Sequence, residues 1–251
     1  MIADAGLARI DTRAIQPFAA LATPMEAHPP LRLILRLDAT DEAALRPALT
    51  AALGAALSRA MTRKIERVYW DTADGAIGRT GFALGLRRSG TRTSQRMLAI
   101  GERRMGGRTV RDVEAPITGG RPDLIRLALQ PGVDPHEAGA LDPETLVPIF
   151  AIETKRTVWR AEWHGTRLVI GFDAGMIRSP LGEQPVRQLT IDSEAGPGAT
   201  VYELAREIWP ALKAQLAEFD EVQEGYRLTL RPDWWPDATK ARLDPEMSTR
   251  Q

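Results

Sequence analysis

The apolar positions of this chain fall into two rhythms. From Leu31 to Leu37 every second residue is leucine, with Arg32, Ile34 and Arg36 between them. A period of two sends alternate side chains to opposite faces, so this stretch reads as a strand with one apolar face. The rhythm then lengthens to four. Leu45, Leu49, Leu53 and Leu57 make one stripe of a helix over about residues 41–60. Asp38 or Thr40 can cap it, and Pro47 lies near its start, where a proline is best tolerated.

Strand rhythm returns at Ile65–Trp70, Phe82–Arg88, Gln95–Gly101 and Arg108–Ile117. Asp71–Gly75 (DTADG) has the composition of a solvated turn, and Glu102–Gly107 that of a hairpin connection. Residues 118–150 hold short helical pieces around LIRLAL and PETLVPIF. Ala151–Trp163, Arg167–Asp173 and Pro185–Ser193 read as further strands, with a turn at His164 and Gly165. Val201, Leu204, Ile208, Leu212 and Leu216 share one face of a second long helix over 199–217, kinked at Pro210. Tyr226–Leu230 reads as a last strand.

Many antiparallel-type strands with two main helices predict an α+β fold built on a large sheet or barrel, not a βαβ series. Three regions follow. Residues 1–29, with Pro17, Pro24 and Pro29, read as a flexible N-terminal arm. Residues 30–231 form the domain, and 232–251 a polar C-terminal tail with Trp234 and Trp235 near its start.

Composition narrows the chemistry. Lys plus Arg equals Asp plus Glu at 33 each, so no overall charge draws the chain to nucleic acid or an anionic membrane. Cys is absent, which excludes disulfides and thiolate metal sites. The start of the chain is a poor signal peptide and no stretch nears the length of a bilayer span, so a cytoplasmic location is expected. His28, His136 and His164 lie too far apart for paired metal ligation, and no Gly-rich phosphate loop or Gly-x-Ser-x-Gly elbow occurs.

YWDTADG, FALGLRR, VEAPI (113–117), KRTVW (155–159), FDAG (172–175) and EGYRL (224–228) follow one another in an order that resembles the CYTH, or triphosphate-tunnel, family. The resemblance covers about residues 31–230. It implies a closed or strongly curved antiparallel barrel of about eight strands, with helices packed outside. Family members hydrolyse or cyclise triphosphates with Mg²⁺ or Mn²⁺, glutamates holding the metal and basic residues the phosphates. A hard cation needs several fixed oxygens and a polyphosphate needs close cations, so both sets face the tunnel.

Position by position, much of that lining is changed. The leading Glu-x-Glu-x-Lys becomes Arg32, Ile34 and Arg36, the first tunnel arginine of FALGLRR becomes Gly85, and the last lysine falls near Glu221. Arg36, Arg87 and Arg156 remain as phosphate-binding positions, and Glu114, Asp173 and Asp192 as metal-ligand positions. The same residues could instead pair with one another as a buried network. The resemblance therefore implies a degenerate tunnel domain that binds a polyphosphate or another triphosphate-containing molecule, or acts as a scaffold for a protein partner. No cofactor is expected in that case. A Mg²⁺- or Mn²⁺-dependent inorganic triphosphatase is the alternative.

Overall fold

A computed structural model describes residues 31–100, 107–109, 112–130 and 142–230 of the chain. The elements are β1 (Leu31–Arg36), α1 (Ala39–Leu53), β2 (Met61–Asp71), α2 (Ala76–Arg79), β3 (Phe82–Ser89), β4 (Arg92–Ala99), β5 (Gly107–Thr109) and β6 (Asp112–Pro116). They continue with α3 (Leu124–Ala128), β7 (Val147–Trp163), β8 (Thr166–Ser179), β9 (Gly182–Ala195), α4 (Thr200–Ile208), β10 (Gln215–Leu216) and α5 (Glu221–Leu230).

The strands make one antiparallel sheet in the order β10-β1-β9-β8-β7-β2-β3-β4-β6, so the fold is α+β. One edge of β1 pairs with β9, and the other is shared by β5 at Leu31–Leu33 and β10 at Leu35–Arg36. β6 pairs with β4 at the far end of the order.

The period-two pattern of β1 decides which face is which. Leu33, Leu35 and Leu37 pack with Leu45 and Leu49 of α1, Leu204 and Ile208 of α4, and Ile170 and Ile191 of the neighbouring strands. These helices therefore cover the leucine face, and Arg32 and Ile34 are left on the other. A second cluster lies on that inner face beneath α5, where Tyr69, Ile152, Ile177, Val222 and Tyr226 are buried together. Tyr69 stacks on Phe150 at 4.7 Å, and Tyr226 meets the same ring edge-on at 5.3 Å.

Three expectations are corrected. Tyr226–Leu230 is helical, part of α5, because Val222 and Tyr226 recur at helical spacing on the buried side. The second long helix stops at Ile208, passes through a 3₁₀ turn at Trp209–Ala211 and gives way to β10. Pro210 cannot supply the amide that a continuing helix needs. The DTADG segment is not a solvated turn at its first residue. Asp71 is fully buried and accepts hydrogen bonds from the amides of Thr72, Ile77 and Gly78 and from the Tyr226 hydroxyl. It joins the end of β2 to α2 and α5. The arm, the 102–106 connection and the tail lie outside the described residues.

Gly225 sets how closely α5 approaches the sheet, since a Cβ there would fall 2.2 Å from Cε2 of Phe150. Alanine favours a helix over glycine by about 1 kcal/mol. Overpacking a buried ring already pinned by stacking costs about 1–3 kcal/mol. Three atoms of that ring lie within 3.0 Å of the added Cβ, so the upper part of that range applies and Gly225→Ala is expected to lower unfolding stability in urea by about 1–2 kcal/mol. An unchanged or raised midpoint would mean that α5 does not sit on Phe150.

Candidate functional site

Alternation on the inner face lays side chains in rows across the strands. One row runs Arg63, Arg156, Asp173, Gln188, Arg36 through β2, β7, β8, β9 and β1. In another, Arg67 opposes Arg87, and in a third, Gly85 opposes both Tyr69 and Arg96. Like charges set directly opposite one another destabilise a sheet. Arg63 with Arg156 and Arg67 with Arg87 are two such pairs, so negative charge must lie close by.

The rows enclose a cavity of about 190 Å³. Five arginines line it, Arg32, Arg67, Arg87, Arg96 and Arg156, with Tyr69, Gln188, Thr190, Asp220 and Glu221 among them. Each arginine meets a carboxylate. Arg32 donates through Nε and Nη2 to Asp192 at 2.6 and 2.9 Å. Arg156 donates to Asp173, which also accepts from Thr154 at 3.0 Å. Arg67 holds Glu221 through two nitrogens and lies 3.8 Å from Asp173. Arg87 and Arg96 share Glu114, at 3.5 and 3.6 Å.

Burial and charge pull these groups in opposite directions. Burial lowers the proton affinity of Arg67, yet Glu221 and Asp173 outweigh it and the net shift is upward. Burial holds Arg96 below the usual guanidinium range. It raises the Tyr69 phenol to about 12 and pushes Glu221 upward against the pull of Arg67. Arg67 is 6% exposed, and its Nε has no acceptor within hydrogen-bond distance among the described residues. The lining is thus rich in donors, one of them buried and unused.

Two glycines shape this site. A Cβ at Gly171 would lie 2.6 Å from Nη2 of Arg156, so only glycine lets that guanidinium cross β8 towards Asp173. A Cβ at Gly85 would lie 3.0 Å from the Tyr69 ring. The ring fills the place where the resemblance expects a tunnel arginine.

Of the three phosphate-binding positions read from sequence, Arg87 and Arg156 line the cavity. Arg36 does not: its half-exposed side chain pairs with Glu224 of α5 at 2.6 Å and lines a neighbouring cavity of about 220 Å³. Glu114, Asp173 and Asp192 meet different arginines, and no three carboxylates or histidines among the described residues are placed to hold one metal ion. Arg67 and Arg96 were missed. The signal for Arg67 was its place between Ile65 and Tyr69 in an alternating strand. Glu221 enters the sequence reading only as the position of a lost lysine, with no helix expected there.

No known protein family matches the sequence, and no curated protein does either. Solved structures share the fold. A Hippeastrum protein described as a putative adenylyl cyclase with a dominant triphosphatase activity superimposes with a TM-score of 0.54. The two share 15% identity over 81% of this chain and 98% of that one. A putative adenylate cyclase from Bacillus halodurans gives a TM-score of 0.47 at 14% identity, over 77% and 97% of the two chains. The chain has the fold of the CYTH, or triphosphate-tunnel, proteins. No helix among the described residues is long and apolar enough to cross a membrane.

Asp173 is 1% exposed, so losing its main partner leaves a buried charge. Breaking such a pair costs about 3–5 kcal/mol when nothing else remains. Thr154 and Arg67 stay within reach, so Arg156→Ala is expected to cost about 2–3 kcal/mol in urea unfolding. A change under about 0.5 kcal/mol, typical of a surface pair, would contradict the network.

Proposed function

We propose that the inner cavity binds a triphosphate-type polyanion, and that the domain acts as a binding or scaffold protein, not as a metal-dependent hydrolase. The observation that carries the reading is the convergence of five arginines on one cavity, with Arg67 set directly opposite Arg87. Guanidiniums keep their charge, and in a poorly solvated space their repulsion leaves room for added negative charge. The unused Nε of Arg67 supports the same conclusion. The sheet is read as closing into a tunnel, since the segment of β5 and β6 pairs with β1 at one end and β4 at the other.

Mg²⁺ or Mn²⁺ does not fit the donors present. A hard divalent cation draws on several carboxylate, carbonyl or water oxygens at one point. Asp173, Asp192 and Glu114 already accept from arginines on separate parts of the wall. Hydrolysis is the second reading, favoured by the triphosphatase activity described for the Hippeastrum protein.

Thermal unfolding in chelator tests the first reading. Tripolyphosphate at a hundred times its Kd should add about 2.7 kcal/mol of stability, a rise of about 5–10 °C for a domain of this size. Arg96→Ala should lose most of that rise. Phosphate release from tripolyphosphate with Mn²⁺ should stay at the protein-free background. A melting temperature indifferent to the anion would end the binding reading, and Mn²⁺-dependent release would establish the hydrolase.

A further inference from the structure

Glu221 differs from the other carboxylates of the site. Asp173, Asp192 and Glu114 stand on strands of the sheet, whereas Glu221 opens α5. It does not serve that helix as a cap. Asp220 Oδ1 accepts from the amides of Val222 and Gln223, and Gln223 Oε1 accepts from the amide of Asp220. This reciprocal pair closes the helix end without it. The Glu221 side chain goes to Arg67, the deepest arginine of the site, and with Gln188 it forms the wall shared by the 190 Å³ and 220 Å³ cavities.

A carboxylate that accepts from a guanidinium through two oxygens engages the same donors, in the same geometry, as a phosphoryl group would. Resting on the anion-binding reading above, we propose that Glu221 is an internal competitor for the ligand. Its carboxylate holds the Arg67 end of the cavity, and a bound polyanion expels it and frees the first turn of α5. Expulsion joins the two cavities into one channel, which gives an elongated anion its length. Substitution at Glu221 therefore strengthens binding, the reverse of what loss of a supporting residue would do.

Calorimetric titration with tripolyphosphate at fixed ionic strength tests this on the wild type, Glu221→Gln and Glu183→Gln. Glu183 pairs with Arg178 on the β8–β9 hairpin and neither residue lines either cavity, so its substitution removes the same charge without touching the lining. Glu221→Gln should bind at least tenfold more tightly than wild type, and Glu183→Gln within twofold of it. Binding by Glu221→Gln alone would also support the proposal. Equal or weaker binding by Glu221→Gln, with the wild type still binding, overturns it and leaves the anion site standing. No binding by either overturns both. Hydrogen exchange on the wild type needs no variant: amides 222–226 should exchange faster with saturating tripolyphosphate, and unchanged or slower exchange overturns the proposal.

Discussion

An arginine buried as deeply as Arg67 cannot shed its proton, so something negative has to stay in contact with it. The fold around it answers that requirement. β2 carries Arg67 inward between Ile65 and Tyr69, and α5 brings Glu221 to meet it while Tyr226 anchors the helix on Phe150 and Asp71. Without the ion pair, Arg67 would face Arg87 across the strands with Asp173 at 3.8 Å and the Thr154 hydroxyl left to offset it.

The other arginines obey the same rule with less burial. Arg156 reaches Asp173 because Gly171 leaves the space, and Arg32 reaches Asp192 as its direct cross-strand partner. Arg87 and Arg96 both lie within reach of Glu114, which is itself 41% exposed. Buried networks of this kind add little net stability against an apolar core.

The strands were legible where apolar residues alternate, most clearly in β1, where Arg32 and Arg36 each sit between two leucines. Leu31–Leu37 alone assigned the helix-covered face and the charged face. The cavity was half legible. Arg87 and Arg156 follow from the resemblance of FALGLRR and KRTVW to the family's tunnel strands. Arg36 alternates correctly too, yet Glu224 draws it to the neighbouring cavity, a contact across 188 residues that no local pattern encodes. The role of Asp71 was hidden for the same reason: its acidic, Gly-containing context reads as a turn until the amides of α2 and the hydroxyl of Tyr226 converge on it. Glu221 was obscured by its helix, whose valine and tyrosine are β-formers held helical by tertiary packing.

The central claim is that the arginine-lined cavity, not the protein surface at large, is where an anion binds. The arginine Nε–H resonances of the ¹⁵N-labelled protein, followed through a titration with tripolyphosphate in chelator, test it directly. The account predicts saturable shifts for Arg67, Arg87 and Arg96, with the largest downfield movement at Arg67 Nε as its unused donor gains an acceptor. Shifts confined to surface arginines such as Arg92, or shifts that rise with ionic strength and never saturate, would contradict it.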